Sequence, residues 1–499
     1  MRRRPSGRPR SGGRVSARAI TDRNPSTTLF SVMVLVRGAC GQIGSRLCTL
    51  LRTAGPLAHN LAPLSLRCSI WPAWVLFLAP AVVSAQASSR PCSAWCLSQH
   101  ARDALAAGRY ADYLNYARKI AQRAPDHPGV VYAVARGYAL VGQPAAAFGW
   151  LSRLADLGAT QDVDMDSAFA GLDTSAAFRA LRARLNANRA PIVHGAPAFS
   201  LPDPDLLPEA LARDPITDSW LVGSLAKRKI IRLAPNGTAS DFVSDPELLR
   251  VVGIHVDSAR SLLWFATWAP RAPSATHAED FPSDTRLFKC DLVSGHILRR
   301  YIPSDSGGDH LFNDLAIATN GDVFITDTDQ GAVYRIRSSA DSLELFLQPD
   351  RERFSDANGI TLSGDNRTLY VAFVEGIARI DLRTRAIARL SLLSPGSTAA
   401  IDGLYWYRGT LIGVQHLPGL DQVARYDLAP DGRSIQHIDV LERADSLLHL
   451  PTTGALVGGH FYYIANSQFD RLGDDNRLAP ASPSSMPLST VRVLDLEHH

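Results

Sequence analysis

Apolar residues follow a helical spacing in the first part of the chain and alternate with a period of two after it. Between Cys96 and Asn188 the pattern is helical and repeats after 34 residues: GRYADYLNYARKIAQRA begins at Gly108 and GQPAAAFGWLSRLADLGA begins at Gly142. The segment 190–206, APIVHGAPAFSLPDPDL, is rich in proline and ends the helical pattern. From Leu207 onwards, short apolar runs separated by turn residues predict β-strands.

The strand region consists of six similar units. Their second strands read WLVGS, LLWFATW, VFITD, LYVAF, TLIGV and FYYIA, and their third strands read KIIRL, RLFKCDL, AVYRI, GIARIDL, QVARYDL and TVRVLDL. Repeats of roughly 40 to 50 residues with three or four short antiparallel strands are typical of β-propeller blades. The sequence therefore predicts a mainly β fold: a six-bladed β-propeller over 207–499, preceded by an α-helical region over 92–189 and a linker over 190–206. The strand that completes one blade is expected from the segment before Leu207 or from the chain end.

A polar position recurs where the first strand of each unit begins. In HLFNDLAIATNGDVFITDT, which begins at His310, the turn at Asn320-Gly321 explains the hairpin but leaves the pair Asn313-Asp314 without a local role. Aligned on their first turns, the units carry at this position Glu209, Val252, Asn313, Asn358, Asp402 and Thr453. We name these six residues the inner column. Because they open the innermost strand of each blade, their side chains are expected to converge at one end of the central channel.

Four residues of the inner column carry carboxylate or amide oxygens, the kind that bind metal ions, namely Glu209, Asn313, Asn358 and Asp402. Carboxylates that converge in a partly desolvated channel are costly unless a cation compensates them. Oxygen donors favour a hard divalent cation, Ca²⁺ first, with Mg²⁺, Mn²⁺ and Zn²⁺ as alternatives. The competing interpretation is that Asn358-Gly359 and Asp402-Gly403 are simple turn pairs, since Asn and Asp often precede Gly in turns.

The first 85 residues differ in charge from the rest of the chain. They hold twelve Arg and one acidic residue, Asp22, so they contribute +11 to the net charge of +4 and the remainder carries −7. The acidic remainder argues against a nucleic-acid partner.

The same segment ends in a pattern typical of a secretory signal peptide. The apolar stretch from Ile70 to Val83 is followed by Ser84-Ala85, which predicts cleavage near Ala85. The stretch is short for a membrane span, so we expect export to a bacterial periplasm or medium, with a membrane anchor as the alternative. The 70 residues upstream are unusual for a signal peptide, which suggests that translation begins further downstream.

Cysteine chemistry is not expected to carry the function. Cleavage near Ala85 would leave Cys92, Cys96 and Cys290. An oxidising compartment permits a bridge between Cys92 and Cys96, and the chain has no Cys-x-x-Cys pattern of a zinc or redox site.

The helical region resembles a short array of tetratricopeptide repeats. Gly108, Tyr110 and Pro125 stand where that family has its inter-helix glycine, an aromatic residue and a terminating proline. The resemblance implies either a cap packed on the following domain or a groove that docks a protein partner.

The strand region resembles the gluconolactonase, regucalcin and luciferin-regenerating-enzyme group of six-bladed propellers, and more distantly paraoxonases and strictosidine synthase. The likeness runs from about Leu207 to Leu496 and is clearest in LPEALARDP, FNDLAIATNGDVFITDT, ANGITLSGDNRTLYVAF and IDGLYWYRGTLIGV. It implies a divalent cation at the top of the channel, held by Glu209, Asn358 and Asp402, with Asn313 as a further ligand or a substrate-orienting amide. It also implies hydrolysis of lactones or related esters, with Asp402 as general base.

Some residues depart from that group of propellers. Leu311 stands where regucalcin-like proteins have an arginine that holds sugar-acid lactones, which argues against gluconolactone as substrate. Val252 and Trp268 stand where paraoxonases place two histidines. His310 and His416 are expected to line the substrate pocket.

The prediction from the sequence is a divalent-cation-dependent hydrolase of a small lactone or ester, with Asp402 and Asn313 as catalytic residues. The alternative is an exported propeller without enzymatic activity, which binds a ligand or a protein, has a structural cation and docks its partner through the helical repeats.

Overall fold

The computed structural model describes residues 94–172, 175–270, 284–304, 309–351, 353–473, 478–479 and 488–498. The basic extension, the predicted signal peptide and Cys92 lie outside these ranges. Cys96 is disulfide-bonded, and Cys290 is free and buried. Of the helices in the described ranges, none combines the length and the hydrophobicity that a membrane crossing requires.

Five α-helices form the N-terminal part of the described chain. They are α1 (Ala94–Ala106), α2 (Tyr110–Arg123), α3 (Pro128–Leu140), α4 (Pro144–Asp156) and α5 (Ala176–Ala187), with a 3₁₀ helix at Ser167–Leu172 before α5. Each α-helix packs on the next along the chain. Their buried sides enclose two apolar clusters, whose members include Leu114, Val134, Leu151 and Leu181.

The turns between these helices follow from glycine and proline residues. Gly108, between α1 and α2, and Gly142, between α3 and α4, have φ angles of +69° and +74°, which other residues rarely adopt. Pro128 and Pro144 begin α3 and α4, where a missing N–H costs no helical hydrogen bond. The 34-residue period of the sequence is therefore the period of two helical hairpins. Membership of the tetratricopeptide family stays a prediction.

Six sheets make up the rest of the described chain, antiparallel except for the short parallel pairing of Ser391–Leu392 with 434–435. Two strands precede residue 207, namely β1 (Ile192–Val193) and β2 (Ala196–Ser200). Sheets one to three contain β3 (Pro208–Asp214), β4 (Ser219–Ser224), β5 (Ile230–Leu233), β6 (Ala239–Val243), β7 (Arg250–Asp257), β8 (Leu262–Ala269), β9 (Asp284–Asp291), β10 (Ile297–Tyr301), β11 (Phe312–Ile317), β12 (Val323–Asp327), β13 (Ala332–Ile336) and β14 (Leu343–Leu347). Sheets four to six contain β15 (Ile360–Leu362), β16 (Thr368–Phe373), β17 (Gly376–Asp381), β18 (Ile387–Arg389), β19 (Ser391–Leu392), β20 (Ile401–Tyr407), β21 (Thr410–Leu417), β22 (Leu420–Leu428), β23 (Ser434–Arg443), β24 (Gly454–Val457), β25 (His460–Ile464) and β26 (Thr490–Asp495).

The ring of sheets closes through the segment that the sequence assigns to the linker. β2 pairs with β26 and forms the outermost strand of the sixth sheet, and β1 pairs with β23 of the fifth. The innermost strands contact one another around the ring: β3 with β7, β7 with β11, β11 with β15, β15 with β20, and β24 with β3. The predicted six-bladed β-propeller is thus confirmed. Its closing strand comes from before Leu207, so residues 190–206 are part of the sheets as well as a connection.

A buried ion pair joins the strands at this closure. Glu442 on β23 and Arg492 on β26 have side chains that are 0% and 3% exposed. Arg492 Nη2 donates to Glu442 Oε1 at 3.3 Å and to the Gly195 carbonyl oxygen at 2.7 Å, and the Gly195 N–H donates to Glu442 Oε1. The pair therefore connects sheets five and six with the segment between β1 and β2.

Candidate functional site

Four of the six inner-column residues lie at irregularities of the innermost strands. The pairing skips one residue in sheets one, two and five, so that Glu209, Val252 and Asp402 have no partner on the next strand. In sheet three the irregular stretch contains both Asn313 and Asp314. A β-bulge bends the strand and redirects the side chain of the extra residue. The bulges therefore explain how these side chains leave the alternation of their strands, which the sequence analysis did not foresee.

Glycines directly after the inner column permit close packing between blades. A Cβ at Gly359 would lie 2.6 Å from the Asp402 carbonyl oxygen, and a Cβ at Gly403 would lie 3.2 Å from the Thr452 carbonyl oxygen. Neither glycine has a positive φ angle. The pairs Asn358-Gly359 and Asp402-Gly403 therefore serve the contact of neighbouring inner strands, and the turn interpretation of these pairs does not fit.

The four inner-column residues with carboxylate or amide side chains meet at one cavity of about 220 Å³, and Val252 lines the same cavity. Thr453 instead donates its hydroxyl to the Glu209 carbonyl oxygen at 2.6 Å. One water needs roughly 10–15 Å³ on the same measure, so the cavity has room for a ligand. Most of its remaining wall is apolar and includes Trp268, Leu311, Phe373, Val374, Leu417 and Phe469.

Three oxygens of the inner column are buried without a hydrogen-bond partner in the described part of the chain. They are Glu209 Oε2, Asn358 Oδ1 and Asp402 Oδ2. Buried polar atoms without partners are rare in folded proteins. The other Asp402 oxygen, Oδ1, accepts from Asn358 Nδ2 at 2.7 Å.

The two carboxyl groups of the inner column are unfavourable as bare anions. Burial raises the pKa of Glu209 well above its ordinary value, and the nearby Asp402 raises it further. Burial also raises the pKa of Asp402, against the opposing effects of His416 and of the hydrogen bond from Asn358.

This donor set fits a hard divalent cation, which would offset both charges and bind the unpaired oxygens. Within the described ranges, no three His, Cys, Asp or Glu side chains cluster so as to hold a metal ion. The donors that the inner column supplies are two carboxylates and the amides of Asn313 and Asn358.

Asn313 and Asp314 divide their roles between the cavity and the core. Asn313 lines the cavity, and its Nδ2 donates to Thr328 Oγ1 at 3.0 Å. The oxygen of the same amide group is then the atom that can contact a ligand. The buried Asp314 pairs with His255 Nε2 at 3.2 Å and accepts from the Ile360 N–H at 3.3 Å. Asp314 therefore connects sheets two, three and four, which answers why the two polar residues stand side by side.

The two histidines of the sequence prediction differ in position. His416 lines the cavity, with Nδ1 at 2.9 Å from the Pro451 carbonyl oxygen and 3.5 Å from Asp402 Oδ2. Because a carbonyl only accepts, Nδ1 carries the hydrogen, and Nε2 of a neutral ring is then an acceptor.

His310 is buried, with Nδ1 at 2.6 Å from Asp327 Oδ2, and it is not among the described residues that line the cavity. Asp327 also accepts from the Leu311 N–H at 3.1 Å. The pair therefore holds the backbone that leads to Asn313. The expected substrate contact of His310 finds no support in this position.

Arg250 is a cavity residue that the sequence analysis missed. Arg250 stands two residues before Val252, just as Leu311 stands two residues before Asn313. The side chains of Arg250 and Leu311 both line the cavity. Burial lowers the pKa of the Arg250 guanidinium to about 10, so it stays charged at neutral pH. The guanidinium lies 5.5 Å from the Trp268 ring centroid. The offset from the inner column was a signal in the sequence that could have pointed to it.

The helical region also reaches this cavity. Residues of α1, α2 and the turn into α3 line the side that the propeller leaves open, among them Ser98, Ile120, His127 and Val130. Burial lowers the pKa of His127 to about 4, so its imidazole is neutral near pH 7. Of the two roles that the sequence left open, the helical region takes that of a cap on the propeller.

Comparisons with known proteins give matches of low identity and low TM-score. No family model matches the sequence, and no curated protein matches it. Among solved structures, a regucalcin from Agrobacterium tumefaciens is 18% identical with a TM-score of 0.42, over 61% of this chain and 95% of that one. A gluconolactonase from Xanthomonas campestris is 18% identical with a TM-score of 0.40, over 56% and 90%. A virginiamycin B lyase from Staphylococcus aureus is 15% identical with a TM-score of 0.41, over 59% and 97%.

Proposed function

We propose that this protein hydrolyses a lactone or a related ester in the cavity, with a divalent cation held by Glu209, Asn358 and Asp402. The observation that supports this proposal is the set of three buried, unpaired oxygens, one from each residue, at a single cavity. Asn313 would act as a fourth ligand or orient the substrate. Ca²⁺ suits oxygen donors best, with Mg²⁺, Mn²⁺ and Zn²⁺ as alternatives. A bound cation supplies polarisation of the substrate carbonyl and a lower pKa for nearby water.

Asp402 is the residue proposed to accept a proton from the attacking water. Asn358 fixes Asp402 by donating to Oδ1 at 2.7 Å, so the unpartnered Oδ2 would face both the cation and a water beside it, and this one oxygen would serve as ligand and as base. Burial raises the pKa of Asp402, and a bound cation would oppose that shift. The water oxygen bonds to the carbonyl carbon, the bond from that carbon to the ester oxygen breaks, and the leaving alkoxide takes the proton that Asp402 accepted.

Arg250 and Asn313 are proposed to orient the substrate. The Arg250 guanidinium is the cationic group of the cavity wall and would stabilise negative charge that develops on the substrate oxygen. The Asn313 amide is fixed by Thr328, so its free carbonyl oxygen has a defined direction. Fixed groups of this kind need no reorganisation during the reaction.

The proposal is tested by turnover that depends on the cation. The purified protein is assayed on γ- and δ-lactones and on aryl acetates, with added Ca²⁺ and with a chelator. We expect hydrolysis that the chelator abolishes and Ca²⁺ restores. Cation binding without turnover of any lactone or ester would refute the proposal and favour the ligand-binding alternative.

Ca²⁺ is expected to stabilise the folded protein, because it would offset two buried carboxylates. At a concentration 100 times its dissociation constant, a ligand that binds only the folded state adds about 2.7 kcal/mol. Thermal unfolding in Ca²⁺ and in chelator measures this gain. Glu209→Gln should lose most of it, whereas Glu344→Gln, at a partly exposed pair with Arg335, should keep it. An unfolding temperature that is the same in Ca²⁺ and in chelator would contradict the cation site.

A further inference from the structure

The propeller and the helical region share the walls of one cavity. The inner column and Arg250 come from the propeller, while the roof of the cavity comes from the helical region. The roof residues are Ala94, Ser98, Ile120, His127, Gly129 and Val130. A substrate bound next to Asp402 therefore lies between two parts of the chain.

One fixed contact between the two parts lies at the turn from α2 to α3. Arg389 Nη2 on β18 donates to Asp126 Oδ2 at 2.6 Å, and Arg153 on α4 donates to the other Asp126 oxygen at 3.3 Å. Both side chains of the Asp126–Arg389 pair are largely buried, 19% and 27% exposed. The turn that carries His127 into the cavity is therefore held on the propeller.

A second fixed contact lies after α4, at the hairpin between β21 and β22. The Thr160 N–H donates to the Gly419 carbonyl oxygen at 2.9 Å, and Gln161 Nε2 donates to the Pro418 carbonyl oxygen at 2.6 Å. Leu417 and Pro418 of the same hairpin line the cavity. With contacts on sheets four and five, the roof has a defined position above the inner column.

The roof offers one polar side chain to a substrate, His127, whose Nδ1 is buried without a hydrogen-bond partner among the described residues. The rest of the roof is apolar or already paired, since Ser98 Oγ donates to the Ala94 carbonyl oxygen at 2.9 Å and Ile120 and Val130 are apolar. Across the cavity, Trp268 and Phe373 add further apolar surface. A sugar lactone would bury several hydroxyls against such a wall, and each buried hydroxyl without a partner costs about 1–3 kcal/mol.

We infer that the helical region is a specificity element of the enzyme: Ile120 and Val130 contact an alkyl or aryl substituent of the lactone or ester whose carbonyl lies beside the inner column. The inference rests on the proposed hydrolysis for its substrate class. It does not need hydrolysis for its contacts, because an apolar ligand of the same shape should bind in the same place. It assigns to the helical region a role in substrate selection, beyond the two roles that the sequence left open, a cap on the propeller and the docking of a protein.

Val130 and Val134 provide a matched pair of variants. Both are buried on α3, 5% and 0% exposed, and both belong to the same apolar cluster, but only Val130 is among the residues that line the cavity. Val130→Ala and Val134→Ala therefore remove the same two methyl groups from the same helical packing. Val130→Thr keeps the side-chain shape and adds a hydroxyl, and it serves as a second variant if Val130→Ala folds poorly.

Two measurements on the full chain test the inference. The first is kcat/KM for a hexyl-substituted δ-lactone relative to unsubstituted δ-valerolactone. The second is calorimetric binding of 2-hexylcyclohexanone, which has the ring and the chain but no ester bond. Val130→Ala should lower the kcat/KM ratio and the ketone affinity about three- to tenfold, since each buried CH₂ contributes about 0.8 kcal/mol. Val134→Ala should leave both within about twofold of wild type.

The outcomes separate this inference from the proposed function. Ketone binding that Val130→Ala weakens, without turnover of any lactone, would refute the hydrolysis and keep the role of the roof. Turnover with the same substrate ratio in the Val130 and Val134 variants would keep the hydrolysis and refute the role of the roof. Wild-type protein that does not bind the ketone would also refute it.

Discussion

Asp402→Asn is expected to reduce hydrolysis by at least about 100-fold while leaving the cation-free protein at least as stable as wild type. Groups that only support a metal ligand typically contribute 10- to 100-fold, so loss of a ligand that is also the proposed base should exceed that range. The substitution keeps the side-chain size and an oxygen to accept from Asn358. It removes one of two buried carboxylates at the cavity, which relieves the repulsion with Glu209. The measurements are kcat with saturating Ca²⁺ and thermal unfolding in chelator.

Asp257→Asn is the matched control for this prediction. Asp257 is also a buried carboxylate on an innermost strand, but its partner is Arg260 at 3.0 Å, and it is not among the described cavity residues. We expect this control to cost stability and to leave kcat within about twofold. Similar losses of activity in both variants would mean that a buried carboxylate matters only for folding, which would refute the proposed role of Asp402.

Glu442→Ala is expected to lower the free energy of unfolding of the propeller by about 3 kcal/mol, the lower end of the range for a broken buried ion pair, because Arg492 stays buried and keeps Asp445, at 3.4 Å, as its remaining charged partner. The substitution also removes the acceptor of the Gly195 N–H, so the segment that closes the ring loses a contact with sheet five. Urea unfolding, followed by circular dichroism at a wavelength that reports β-strand content, measures the change. Glu344→Ala, at a pair whose side chains are 32% and 17% exposed, should cost less than about 1 kcal/mol.

A double variant distinguishes an ion pair from simple packing at the closure. Glu442→Leu combined with Arg492→Met replaces both charges by apolar groups and should recover much of the lost stability. If the double variant is as unstable as Glu442→Ala, the loss comes from packing and hydrogen bonds to Gly195, and the ion pair is not what holds the closing strand.

The six blades and the inner column could be predicted because both depend on short-range order. Alternation of apolar residues with a period of two requires only that one strand face a core. Because every unit folds into the same kind of blade, a residue at a constant distance before the first turn occupies the same position in each blade. For these reasons the sequence led to Glu209, Asn313, Asn358 and Asp402, and the structure brings all four to one cavity. The cation that they would hold and the exported location stay predictions.

Other features depend on contacts between residues far apart in the chain. The bulges at Glu209 and Asp402 arise from how each innermost strand pairs with its neighbour, which the turn alignment does not contain. His310 was expected in the pocket, but its position depends on Asp327 in another strand. Arg250 has the same offset from the inner column as Leu311, but only the fold decided that both positions face the cavity.

By itself, the sequence determined the class of each segment, the number of blades and the side chains of the inner column, since turns, alternation and helical period act over a few residues. Only the tertiary structure decided what closes the ring and what covers the cavity. The pairing of β2 with β26 and the contact of Asp126 with Arg389 join residues more than 260 positions apart. Such contacts form because surfaces are complementary after folding, and no local pattern of hydrophobic and polar residues specifies which surfaces will meet.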